Sequence, residues 1–242
     1  MFLSPYYRAR VDYVKSDWES MPHDLIRIED LKKSFGDRSI LDIASLTIGA
    51  GKCYVLTGDN GAGKSTFMRV LAGLEAATIK HFMFDGATIE FGRYPLWLRR
   101  KIMYIHQHPY LFDSTVEKNV AFGLKQFGVS RSERRHLVGE AIEWAGLSHL
   151  AGVSAQKLSG GEKQKIALIR AMVLKPKLFL MDEPLANLDF QARQQIIALI
   201  ERLCSAEHTV LVACHGGEIS KLAGVIPLNL VNGRITMPTI HP

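Results

Sequence analysis

An α/β fold, with a mainly parallel sheet flanked by helices, is what this sequence predicts, on three observations. Short apolar runs alternate with segments of helical period, the alternation of a parallel sheet covered by helices. Two of the runs, residues 178–181 and 209–214, are apolar at successive positions and have the length of buried strands. A third run, residues 53–57, leads into a glycine-rich loop that opens a helix.

Residues 1–24 read as an N-terminal extension: charges mix with aromatics and there is no apolar core of a signal sequence. Residues 25–31 and 40–48 are expected as strands, parted by the turn residues Gly36-Asp37. After the strand at 53–57, Phe67, Val70, Leu71 and Leu74 fall at helical spacing. Asp85-Gly86 suits a tight primed turn and predicts a hairpin between residues 82–84 and 87–89. From about 96 to 157 the pattern is mostly helical. Ser130 with Glu133 predicts a capped helix reaching Trp144 and stopped by Gly146. Ser159 with Glu162 repeats the cap ahead of a helix ending before Pro176. A strand at 177–181, a helix at 191–204 and a strand at 209–213 complete the series. There is no repeat and no low-complexity linker, so residues 25–237 are expected to form one domain, with a helical insertion at about 96–170 and a tail at 238–242. With so little sequence after Asn232-Gly233, no appended regulatory domain is expected.

Composition narrows the function classes. Hydrophobic residues make up 47% and charged residues 22%, an ordinary globular balance. No stretch approaches the roughly eighteen apolar residues that cross a bilayer, so any membrane role is that of a peripheral subunit. The net charge of +6 is spread among acids, and its densest basic cluster, residues 131–135, is interrupted by Ser132 and Glu133. A solvated helix face accounts for that cluster better than a nucleic-acid patch. Cys53, Cys204 and Cys214 contain no C-x-x-C pair, which argues against a disulfide framework or a zinc site and for buried, inert thiols.

Two motifs carry phosphate chemistry. Gly58-Asp59-Asn60-Gly61-Ala62-Gly63-Lys64-Ser65-Thr66 satisfies G-x-x-x-x-G-K-[ST]. Its glycines let successive backbone N–H groups turn inward on phosphate oxygens, and the following helix adds its positive end. Lys64 is expected on the β- and γ-phosphates and the Ser65 hydroxyl on Mg²⁺. Further on, an apolar strand ends in Asp182-Glu183-Pro184, which places carboxylates at the edge of the sheet where ligands of such folds bind. Asp182 is expected to hold Mg²⁺, directly or through water, and Glu183 to orient and deprotonate the attacking water.

Those motifs specify a nucleotide phosphohydrolase and no more. Leu158-Ser159-Gly160-Gly161-Glu162 goes further, because it exposes a hydroxyl and backbone N–H groups at a helix N-terminus, a second anion site. A cap accounts for Ser159 and Glu162 but leaves Gly160 and Gly161 to be explained, since glycine weakens a first turn. This stretch resembles the signature sequence of the ATP-binding cassette family, and it lies shortly before the Asp182 strand as in that family. The resemblance covers residues 25–235.

It implies a P-loop NTPase fold of the cassette type, with an antiparallel β subdomain and a helical signature subdomain. It also implies that ATP, with Mg²⁺, is clamped between two copies in a head-to-tail homodimer, Ser159 to Glu162 of one copy closing over the nucleotide of the other. Gln107 matches the Q-loop glutamine, which touches Mg²⁺ or the lytic water and relays contact with the membrane subunit. Asp189, in Ala186-Asn187-Leu188-Asp189, matches the D-loop at the dimer interface. His215 matches the switch histidine on the γ-phosphate, and Phe35 the aromatic that stacks on adenine. Two departures stand out: Gly216-Gly217 follow His215 where an acidic or amide residue is usual, and His106 precedes Gln107 where an apolar one is usual.

The resemblance further implies an ATPase docked on separate permease subunits at the cytoplasmic face of the plasma membrane, supplied by an extracytoplasmic solute-binding protein and not acting on nucleic acid. Residues 108–113 and 119–124 look most like those of tungstate or molybdate importers, with phosphate and polar amino-acid importers as alternatives. A soluble cassette acting on nucleic acid or ribosomes, and a regulator that binds without hydrolysing, are the competing classes. The first lacks its expected heptads or tandem cassette here, and intact Glu183 and His215 oppose the second.

Overall fold

The computed structural model describes residues 23–90, 94–206, 208–215 and 217–236. Most of the expected N-terminal extension, the tail 238–242 and Gly216 lie outside the described residues.

The described residues open on a long antiparallel hairpin, β1 (Asp24–Phe35) and β2 (Arg38–Gly49). Both strands run past the expected 25–31 and 40–48. Their added residues, such as Lys32, Ser34, Ser39 and Arg38, are held by backbone pairing and not by burial, so hydrophobic pattern does not report them. Lys33 pairs with Leu41 and Ser34 with Ser39, which leaves Ile40 as the extra residue of a β-bulge. Strand β4 (Thr78–Phe84) pairs with β1, and the short β5 (Ala87–Thr88) pairs with β4. The turn between the last two holds Asp85 and Gly86 at φ 54° and 79°, the primed geometry expected of Asp-Gly.

Strand β3 (Cys53–Thr57) starts the second sheet, and α1 (Lys64–Leu71) follows its loop. This helix is shorter than its apolar spacing suggests. Gly73, at φ 69°, stops it in a Schellman arrangement, its N–H on the Val70 carbonyl and the Leu74 N–H on that of Arg69. Leu74 is therefore 58% exposed and not a core position. Helix α2 (Leu96–Lys101) leads into β6 (Ile102–Ile105), a strand within the stretch expected to be mostly helical. Four residues are too few to show a period; parallel pairing with residues 178–181 makes them a strand.

Three helices follow: α3 (Val116–Gln126), α4 (Arg131–Trp144) and α5 (Gly160–Met172). Ser130 caps α4 by accepting the Glu133 N–H, and Gly146 takes φ 70° past its end. Strand β7 (Leu178–Asp182), helix α6 (Phe190–Ser205), strand β8 (Thr209–Ala213), and strands β9 (Val225–Val231) and β10 (Arg234–Thr236) complete the chain.

The second sheet has the order β10-β9-β3-β8-β7-β6, parallel except for β10. Alternation along its strands sends side chains to two cores. Cys53, Val55, Phe179, Met181, Val210 and Val212 face helices α3 to α6. Tyr54, Leu56, Leu178, Leu180, Leu211 and Ala213 face α1 and the antiparallel sheet. Covered on both faces, these strands read as continuous apolar runs.

Candidate functional site

The loop of residues 58–63 leaves β3 at the carboxyl edge of the parallel sheet. Gly58 adopts φ 148°, and a Cβ there would stand 2.3 Å from the Leu230 carbonyl oxygen of β9, so the neighbouring backbone excludes any side chain. Gly63, the N-cap of α1, adopts φ 105° with the Ile40 and Leu41 side chains 3.0 and 3.1 Å from where a Cβ would be. The bulge in β2 is what brings Ile40 to the loop, the re-aiming such bulges produce beside functional sites.

Lys64 is 6% exposed and its Nζ donates to the carbonyls of Gly58 at 2.9 Å and Asp59 at 3.0 Å. Burial lowers its pKa from the ordinary value, against the opposing pull of Glu183 and Asp182. Next to it, Ser65 Oγ donates to Asp182 Oδ1 at 3.0 Å, while Tyr104 of β6 donates its hydroxyl to Asp182 Oδ2 at 2.7 Å. Asp182 is 4% exposed, so the ends of α1, β6 and β7 meet on one buried carboxylate.

Glu183 stands one residue beyond β7 at φ 46°, its N–H on the Ala213 carbonyl at 2.9 Å. Its Oε1 lies 2.9 Å from His215 Nε2, which is also 3.0 Å from Lys64 Nζ. One imidazole nitrogen donates to a carboxylate or accepts from an ammonium, not both at once. The His215 proton therefore decides which neighbour it serves.

An open cleft unites these groups: Asn60, Gly61, Gly63, Lys64, Ser65 and Thr66 from the loop and α1, with Glu183 and His215 from the sheet edge. Arg38 and Ile40 of β2 line it too, and the sequence reading missed both. It also missed Tyr104. A tyrosine in a short strand carries no signal until its partner in the neighbouring strand is known.

Phe35, Gln107, Asp189 and residues 159–162 do not line that cleft. Phe35 is 51% exposed under the Lys33 ammonium, 4.3 Å from its ring centre, and pairs with Arg38 across the hairpin. Gln107 is half-buried just beyond β6. Ser159 and Asp189 cap neighbouring helices. Asp189 accepts the Ala192 N–H at 2.8 Å, and Ser159 forms a full capping box with Glu162. Glu162 Oε2 takes both the Ser159 N–H and its hydroxyl at 2.8 Å. Those two bonds, backbone first, hold the Glu162 carboxyl below its ordinary range.

The two glycines of this cap differ. A Cβ on Gly161 would stand 2.7 Å from the Ala192 Cβ, so the crossing of α5 and α6 itself requires glycine there. Packing thus accounts for one of the two glycines that the cap leaves to be explained. On Gly160 the nearest atom, Leu188 Cδ2, would be at an ordinary 3.8 Å, and no contact within the described chain demands its glycine.

Comparison with known proteins bears on the whole assembly. A family model described as "ABC transporter" matches residues 41–186. The tungstate uptake system ATP-binding protein TupC of Peptoclostridium acidaminophilum is 33% identical over 191 residues, 78% of this chain and 86% of that protein. The sulfate/thiosulfate import ATP-binding protein CysA of Escherichia coli (strain K12) is 38% identical over 186 residues, 74% of this chain and 49% of that one. The chain spans about half the length of the curated relatives it matches, TupC excepted. Among solved structures, cbiO1 from Clostridium perfringens, described as part of the ABC transporter complex cbiONQ, superposes with a TM-score of 0.80 at 27% identity, covering 88% of this chain and 87% of that one.

Proposed function

Since this chain belongs to the ABC transporter family, we propose that it is the subunit that binds and hydrolyses ATP to drive a membrane transporter of the importer kind. The observation that carries the reading is the meeting of Lys64, Ser65, Glu183 and His215 in one cleft, with Ser65 bonded to the buried Asp182. We read residues 25–237 as one nucleotide-binding domain carrying a helical signature subdomain.

In this reading the loop from Gly58 to Thr66 cradles the phosphates, with Lys64 as the cation at its floor. The Ser65 hydroxyl and Asp182 carboxylate, 3.0 Å apart, offer the hard oxygen donors that suit Mg²⁺. We assign Gln107, just beyond β6, to the same ion or to the attacking water. The ion, when bound, neutralises charge on the β- and γ-phosphate oxygens. Glu183 orients a water and accepts its proton as the oxygen attacks the γ-phosphorus and the bond to the bridging oxygen breaks, releasing ADP and phosphate. His215 steadies that carboxylate and reaches the γ-phosphate. Phe35 and Arg38 stand at the hairpin rim, on the side we assign to the base.

Ser159, Gly160, Gly161 and Glu162, with Asp189 beside them, close over the nucleotide of a second copy in a head-to-tail homodimer. Exposure of Ser159 and Asp189 and the unexplained Gly160 support this. Tyr110 and Phe122, both exposed, pack against the Phe112 ring soon after Gln107, and we place the permease contact on that aromatic face. No helix among the described residues is long and apolar enough to cross a membrane, which fits a peripheral subunit on the cytoplasmic side. For cargo we propose an oxyanion such as tungstate or molybdate, supplied by a binding protein. TupC, matched over most of its length, supports that choice, although other relatives are named for Fe(3+) ions, methionine and putrescine.

Two crippled copies test the clamp. Lys64→Ala spoils its own phosphate loop, and Ser159→Arg spoils the lid over its neighbour's nucleotide. Each alone is expected to occlude no ATP. Mixed, they form a dimer with one intact composite site, so occluded ATP returns to one molecule per mixed dimer. If the mixture occludes none, Ser159 acts within its own chain and the homodimer clamp is wrong.

A further inference from the structure

We infer that Tyr104 is a positioning residue for the Asp182 carboxylate, and through it for the divalent ion that accompanies the nucleotide. The inference rests on the nucleotide-site reading above. Strand register makes the contact: Tyr104 is paired with Leu180, and the next position on the same face of β7 is Asp182. The tyrosine therefore reaches the carboxylate by leaning one pleat toward the sheet edge.

The two oxygens of Asp182 are then held separately. Tyr104 donates to Oδ2 at 2.7 Å and Ser65 to Oδ1 at 3.0 Å. Donors on both oxygens stop the carboxylate from turning about its terminal bond, which is otherwise a broad torsion. The Oδ1 edge stays toward Ser65, whose oxygen keeps lone pairs for a cation after its proton is donated. Partners of this kind, one bond removed from a metal, set the orientation of its ligands.

Tyr104→Phe deletes the hydroxyl and keeps the ring. Mn²⁺ binding is measured by electron paramagnetic resonance with a saturating non-cleavable ATP analogue present, and analogue binding is measured separately in EDTA. The Mn²⁺ dissociation constant is expected to rise about 10- to 100-fold, with metal-free analogue binding unchanged. Tyr104→Met, which also lacks the hydroxyl, replaces the Phe variant if that one does not fold. An unchanged Mn²⁺ constant, or an equal loss in both measurements, overturns the role of Tyr104 and leaves the nucleotide site standing. A wild type that binds the analogue in neither condition overturns the nucleotide site and this inference with it.

Discussion

Glu183 and His215 are held 2.9 Å apart, carboxylate to imidazole, by adjacent parallel strands that end side by side. Asp182 pairs with Ala213, and the Glu183 N–H closes on the Ala213 carbonyl before either side chain turns outward. Residues coupled this closely act as a unit and lose function non-additively. Glu183→Gln and His215→Ala are each expected to slow phosphate release by about 10²- to 10⁴-fold. The double variant is expected to be little slower than the worse single one. Full multiplication of the two losses in single-turnover assays would show that they work independently. The Gln variant is further expected to keep binding ATP and to accumulate as a dimer on a sizing column.

The signature glycines separate structure from function. Gly161→Ala is expected to destabilise the fold by about 1–3 kcal/mol, because its methyl group overpacks the Ala192 contact. Gly160→Ala meets nothing closer than 3.8 Å and is expected to be neutral or to stabilise the helix by about 0.5–1 kcal/mol. Urea melts of both variants, with Gly161→Ala/Ala192→Gly as the rescue, check the assignment. An equal loss in both single variants would contradict the helix crossing described above.

The Glu162 cap makes stability depend on pH. Its folded pKa lies below the ordinary value of 4.5, because Ser159 donates its N–H and hydroxyl to the charged form. Protons therefore bind the unfolded chain more readily. The contribution is complete above the ordinary value and disappears as pH falls through the lower, folded value. Glu162→Gln keeps acceptor geometry and removes the charge, so it is expected to cost about 0.3–1 kcal/mol at neutral pH. That difference should vanish in melts taken well below pH 4.5. A gap that persisted there would mean the carboxylate charge is not what matters.

The phosphate loop, the caps at Ser130 and Ser159 and the Asp-Gly turn were legible because each is a short-range device. Their partners lie within six residues, so spacing along the chain is spacing in space. Helix α1 shows how the same approach overreaches. Periodicity carried it to Leu74, but the glycine at 73 ended it, where a Cβ would stand 2.6 Å from the Tyr94 ring. Strand β6 is the converse, four residues with no local signature, made a strand by their pairing with β7.

Local order thus determined the kind of site this chain carries, an inward-curling loop beside an acid pair, because backbone torsion and residue spacing need no distant partner. Only the tertiary structure decided that Tyr104 would hold Asp182, that a bulge would set Ile40 and Arg38 on the rim, and that Ala192 would forbid a side chain on Gly161. The first and last of those contacts join residues more than twenty positions apart. Their distance is set by strand register and helix crossing, and these come into being only when the two cores close around the sheet.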